Sequence, residues 1–174
     1  MSSVSNLSQT PVATQYQRLV DDEQIKPDEA QQHAAHRLDD LVQALSQAGR
    51  AKGWRRLVPQ RLAGKQNPSD AVSGLYIYGA VGRGKSMLMD MFFNAVPVAA
   101  KRRVHFHAFM QETHQRIHQF RQKDKKGGDP MPYIAKQIGQ ETRLLCFDEF
   151  QVKDIADASI LARLFSLLLD QGLC

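Results

Sequence analysis

The chain is short of cysteine and tryptophan, with two of the former and one of the latter in 174 residues. Two cysteines cannot build a disulfide framework, and no CxxC pair or Cys/His ladder offers a structural zinc site. No basic head followed by an apolar run opens the sequence, so MSSVSNLSQTPVATQYQR is not a secretory signal. The longest apolar-rich stretch, at 160–169, falls well short of the about 20 residues that cross a bilayer. What remains is ordinary: 24% charged and 43% hydrophobic residues, enough to bury a core and too apolar for wholesale disorder. These features predict a cytoplasmic chain of one domain's size from a reducing compartment.

The net charge of +5 is unevenly spread. Residues 1–48 carry three basic and seven acidic side chains, whereas 49–65 (GRAKGWRRLVPQRLAGK) carry six basic and none acidic. Residues 101–136 carry nine basic and three acidic. Such patches suit nucleic acid, acidic lipid or an acidic protein surface, but they suit a solvated linker equally well.

The first dozen residues read as frayed. Between Pro27 and Ala48, apolar residues recur at three and four (Ala30, Ala34, Leu38, Leu41, Val42, Leu45, Ala48), which predicts a helix begun by Pro27 and ended before Gly49. Residues 49–73 read as a basic connector, apart from a short Trp54–Leu62 segment. Strands are expected at 75–78 (LYIY), 103–107 (RVHFH) and 143–147 (RLLCF). Helices are expected at 85–95, 108–122, 131–141 and 154–170, with Gly172 ending the last. This alternation is an α/β pattern built on a parallel sheet. It divides the chain into an N-terminal helical segment with its connector, 1–73, and a core, 74–174.

Residues 79–86 (Gly79, Ala80, Val81, Gly82, Arg83, Gly84, Lys85, Ser86) match GxxxxGK[ST], the Walker A pattern, between a strand-like and a helix-like segment. Glycines let the backbone curl so that its N–H groups face phosphate oxygens, and the following helix adds its positive end. Lys85 would reach the β- and γ-phosphates, and the Ser86 hydroxyl would ligate Mg²⁺. Arg83 reads as an exposed turn residue. Further on, Leu144 to Glu149 gives an apolar strand ending in two acids, a Walker B arrangement. Asp148 would hold the magnesium shell, through water, and Glu149 would serve as general base. Cys146 reads as a buried small side chain. His105 and His107 would share a strand face and His114 and His118 a helix face. These are metal-ligand spacings, with no further ligand in the sequence to complete a site.

Taken together, GLYIYGAVGRGKSMLMDMFF, RRVHFHAFMQETHQRIH and LLCFDEFQVKDIADASILARLF resemble the ZapE cell-division ATPases of bacteria and their mitochondrial relatives, the lactation-elevated ATPases. The resemblance begins near TQYQRLV and runs to the last residue. It implies an AAA+-type P-loop NTPase with a three-layer α/β/α core, using ATP and Mg²⁺ and acting as a homo-oligomeric ring. It implies FtsZ polymers as the partner and a cytoplasmic location at the division site near the inner membrane; the mitochondrial relatives imply protein quality control instead. The family's nucleotide loop falls on Gly79–Ser86 and its magnesium and base acids on Asp148 and Glu149. The strand that carries a γ-phosphate sensor would begin near Leu173, so the chain is expected to be the N-terminal part of a longer ATPase, weakly stable and slow to turn over alone. Three other readings stay open: a nucleic-acid-associated P-loop loader, a nucleotide-binding adaptor without turnover, and a small-molecule kinase, which the Asp-Glu pair disfavours.

Overall fold

The computed structural model describes residues 10–55, 72–124 and 127–174. The backbone divides into two compact units, Met1–Ala99 and Ala100–Cys174.

In the first unit, α1 (Val12–Asp21), α2 (Glu29–Arg55) and α3 (Lys85–Ala95) touch one another pairwise. Helix α1 has Pro11 at its N-cap, and proline offers no side-chain acceptor. Asp39 of α2 takes that role across 27 residues: Val12 N–H donates to Oδ1 at 2.6 Å and Ala13 N–H to Oδ2 at 3.0 Å. Asp28 caps α2, its Oδ1 accepting from the N–H groups of Ala30 and Gln31 at 2.9 and 3.1 Å. Tyr16 is buried, and its hydroxyl accepts from Asp28 N–H at 2.9 Å and donates to Asp28 C=O at 3.2 Å. Buried apolar residues follow helical spacing: Ala35, Leu38, Leu41 and Leu45 on α2, and Leu88, Met91, Phe92 and Ala95 on α3. Each such large side chain contributes about 1.5–3 kcal/mol by leaving water.

In the second unit, β1 (Lys101–His105) pairs in parallel with β2 (Leu144–Asp148), with Lys101 opposite Leu144 and His105 opposite Asp148. Helices α4 (Phe106–Lys123), α5 (Pro130–Glu141) and α6 (Ile155–Asp170) accompany them. Their core gathers Phe106, Phe109 and Met110 of α4, Ile134 and Ile138 of α5, Leu145 of β2, and Leu161, Leu164 and Leu168 of α6. Phe106, Phe109, Phe147, Phe150 and Phe165 form one aromatic cluster, with Phe106 and Phe150 centroids 4.7 Å apart. Asp129 with Pro130 starts α5, and Asp154 starts α6. Gly172 follows α6 at φ 73°, in the left-handed conformation that ends helices. Beyond it, Cys174 N–H donates to Arg143 C=O at 3.1 Å and its own carbonyl accepts from Leu145 N–H at 2.8 Å. The pairing of one residue with the two flanking its opposite is a parallel-ladder pattern.

Several boundaries differ from the sequence reading. The chain turns helical at Phe106, so His105 stands at the N-cap of α4 and His107 in its first turn, not together on a strand. Phe106 belongs to the buried stripe Phe106, Phe109, Met110, Thr113 and Ile117, and that 3.6-residue period overrides the alternation of RVHFH. Helix α2 starts at Glu29 and runs past Gly49 and Gly53 to Arg55, since an interior glycine weakens a helix by about 1 kcal/mol without necessarily ending it. Residues 75–78 are not a strand. The ladder among the described residues is confined to β1 and β2, and Tyr76 and Tyr78 stack on each other, exposed, with centroids 6.4 Å apart. Helix α1 is an addition to the reading. Residues 56–71, with the rest of the basic connector and of the Trp54–Leu62 segment, lie outside the described residues.

Candidate nucleotide site

The phosphate-loop sequence lies in the first unit and opens α3. Gly79, Gly82 and Gly84 have φ of 153°, 79° and 73°, all in the region that favours glycine. Built β-carbons on Gly79 and Gly82 would meet nothing within 4 Å, so backbone conformation, not crowding, calls for glycine there. Gly84 is the N-cap of α3, and no side chain among the described residues caps the first turn. Lys85 folds back over the loop, its Nζ donating to Gly79 C=O at 2.9 Å and to Ala80 C=O at 2.7 Å. Ala80, Val81 and Ser86 are exposed. An uncapped helix start, left-handed glycines and a lysine over the loop suit a polyphosphate.

The N-terminus of α2 meets this loop. Arg83 Nη2 donates to Asp28 Oδ2 at 2.6 Å, and Gln31 Nε2 donates to Arg83 C=O at 3.3 Å. Asp28 thereby ties together Tyr16, the first turn of α2 and the phosphate loop. Two cavities of about 350 Å³ each flank the junction. One is lined by Ile77, Gly79, Ala80, Lys85 and Leu88, the other by Ile25, Pro27, Gly84 and Met87, and both by Asp28, Gln31 and Arg83. The sequence reading gave Asp28 and Gln31 no role. Their signal was present as D-x-x-Q before an apolar periodic run, a helix-start pattern.

Asp148 and Glu149 belong to the second unit, at the C-terminal end of β2. Arg103 of β1 grips the Asp148 carboxylate with two bonds, Nε to Oδ2 at 2.6 Å and Nη2 to Oδ1 at 3.2 Å. The bidentate fork grips a side chain only 13% exposed. Glu149 is exposed and holds φ 52°, a left-handed backbone uncommon for residues with a β-carbon and concentrated at functional positions. Cys146 is buried behind them, and burial pushes its thiol up to about 11. A thiol so raised is protonated at neutral pH and a poor nucleophile.

The histidines stand apart. His114 Nε2 lies 2.8 Å from Asp157 Oδ1, and His118 Nε2 lies 2.9 Å from Gln122 Nε2. His105 and His107 are exposed at the start of α4. No group of three or more His, Cys, Asp or Glu that could hold a metal ion forms among the described residues. Also among the described residues, no helix is long and apolar enough to cross a membrane.

Comparison with known proteins bears on the same residues. The chain is 37% identical over 172 residues to cell division protein ZapE of Escherichia coli K12, covering 95% of this chain and 44% of that protein. It is 50% identical over 106 residues to lactation elevated protein 1 homolog B of Danio rerio, covering 57% of this chain and 21% of that one. An uncharacterized protein of Schizosaccharomyces pombe, C115.02c, is 46% identical over 101 residues, covering 57% and 22%. The chain thus spans less than half the length of these relatives. No solved structure matches. The model of the AFG1-like ATPases matches residues 10–174, phosphate loop and acidic strand end included, and the chain therefore belongs to the AFG1-like ATPase family and shares its P-loop NTPase fold.

Proposed function

We propose that the protein binds and hydrolyses ATP with Mg²⁺, with Gly79–Ser86 as the phosphate loop and Asp148 and Glu149 as the magnesium and base acids of an AAA+-like, three-layer core. The observation that carries the reading is the loop itself: three left-handed glycines, an uncapped α3 and Lys85 folded onto the Gly79 and Ala80 carbonyls. In that arrangement the backbone of Gly79–Ser86 holds the phosphates and Lys85 exchanges its carbonyl partners for phosphate oxygens. The Ser86 hydroxyl and the Asp148 carboxylate, the latter through water, would hold Mg²⁺, which would neutralise phosphate charge. The Glu149 carboxylate orients a water and takes its proton. Residues 1–73 form the helical segment and connector, and 74–174 the ATPase core.

The ZapE likeness supports a role in cell division. The work we assign to it is destabilisation of FtsZ polymers, by a ring of subunits in the cytoplasm near the division membrane. Nucleic acid is not the expected partner. Phosphate release from Mg-ATP tests the enzymatic reading. Lys85→Ala should abolish nucleotide binding, whereas Glu149→Gln should keep binding and lower the rate about 10²–10⁴-fold, the usual worth of a general base. Full activity in both variants would overturn the assignment. The polymer role is tested by sedimenting FtsZ filaments with ATP and wild-type or Lys85→Ala protein; equal pelleting would overturn it.

A further inference from the structure

The α2 start carries a glutamine in an unusual state. In a D-x-x-Q helix start the glutamine ordinarily reaches back to the N–H of the capping residue. Here that N–H, on Asp28, is taken by the Tyr16 hydroxyl at 2.9 Å. Gln31 turns to the phosphate loop instead, its Nε2 donating to Arg83 C=O at 3.3 Å. Its Oε1 is buried and has no hydrogen-bond partner among the described residues. A buried amide oxygen without a donor is an unfavourable state, relieved by any ligand that brings an N–H to it.

Gln31 also lines the cavity of about 350 Å³ bounded by Ile25, Pro27, Gly84 and Met87, beside the loop proposed to hold the phosphates. Ile25, Pro27 and Met87 suit the faces of a flat aromatic ring, beside the charged Lys26, Asp28 and Arg83, and Gln31 belongs to the same wall. The amide cannot easily present its other end, because Nε2 is committed to the Arg83 carbonyl and a flip would set two carbonyl oxygens against each other. Gln31 therefore offers an acceptor only. A purine with an exocyclic amino group at position 6 supplies the matching donor, and one with an oxygen there opposes acceptor to acceptor.

We propose that Gln31 is the base-reading residue of the nucleotide site, selecting 6-amino purines through its Oε1. The proposal rests on the nucleotide reading above and adds the residue that sets base preference. Arg83 and Asp28 position it: their ion pair and the Arg83 carbonyl fix the amide.

Equilibrium binding of three triphosphates to the full chain tests it. ATP has the 6-amino donor, purine riboside triphosphate has hydrogen there, and inosine triphosphate has an oxygen. Wild-type protein should bind ATP tightest, purine riboside triphosphate next and inosine triphosphate about 10-fold or more below ATP. In Gln31→Ala the three affinities should converge to within about 2-fold. Gln31→Glu still presents an acceptor, so the order should survive while charge weakens all three. A role confined to holding the Arg83 carbonyl predicts the opposite, since both variants lose that bond and would shift all three nucleotides alike. Equal wild-type affinities overturn the proposal even if a variant fails to fold, and so does an unchanged ATP preference in Gln31→Ala. Binding of none of the three by wild-type protein would instead sink the nucleotide reading, and this inference with it.

Discussion

Replacing Arg103 with methionine tests how the acidic strand end is held. The guanidinium makes two bonds to Asp148, at 2.6 and 3.2 Å, from side chains 26% and 13% exposed. Hydrogen bonds to charged groups are each worth about 1.5–3 kcal/mol, but partial exposure and the ordering of a long side chain reduce the total. A coupling of about 2 kcal/mol follows. Arg103→Met leaves the Asp148 carboxylate largely desolvated without its fork. For a chain of this size it should lower the melting temperature by about 4–8 °C. Other contacts of Arg103 are also lost, so the single variant does not isolate the pair. A double-mutant cycle with Asp148→Asn does, by differential scanning calorimetry at neutral pH. In the Asp148→Asn background, removing Arg103 should cost about 2 kcal/mol less than in wild type. A coupling below about 0.5 kcal/mol, the scatter of independent sites, would refute the claim that Arg103 holds Asp148 in place.

Three further predictions concern the frame around the site. Hydrogen bonding to Arg102, reinforced by Arg116, holds the Glu112 carboxyl below its ordinary 4.5 despite burial. Its stabilising effect is therefore present above about pH 4.5 and lost as pH falls through the lower folded value; Glu112→Gln should weaken the protein at neutral pH and flatten its acid unfolding limb, and an unchanged limb would contradict this. Asp39→Ala removes both acceptors at the start of α1 and should destabilise by about 1–2 kcal/mol in denaturant titration, whereas Asp39→Asn, which keeps one acceptor, should lose less. Cys146, with its thiol pushed up to about 11, should resist a thiol reagent at pH 7.5 until the protein is unfolded; rapid labelling of Cys146 in the folded state would contradict the burial described.

The segment around the phosphate-loop sequence was legible because its signals are local. Helix α3 begins at Lys85 and ends at Ala95 as the pattern predicts, since the glycines, the lysine and the apolar run lie within 17 contiguous residues, 79–95. Cys146 is buried as expected. What the sequence hid depends on partners distant in the chain. Helix α1 is short and mostly polar, and its cap comes from Asp39 on another helix. Residues 75–78 have the composition of a strand, but strands are made by neighbours, and the described ladder joins only β1 and β2. Strand register sets Arg103 opposite Cys146 and diagonal to Asp148, a pairing that no spacing rule reveals across 45 residues. Gln31 matched a capping pattern, and its different use follows from Tyr16 having claimed the capping N–H.

The central claim is that Gly79–Ser86 is a working phosphate loop. The most direct measurement is the melting temperature of the chain with and without Mg-ATP at about 100 times its dissociation constant, beside Lys85→Ala. Ligand binding to the folded state alone adds about 2.7 kcal/mol at that excess, a rise of about 5–10 °C for a chain of this length. The wild type should show that rise, and Lys85→Ala should lose it. A sharp transition unmoved by nucleotide, or an equal shift in both proteins, would contradict it.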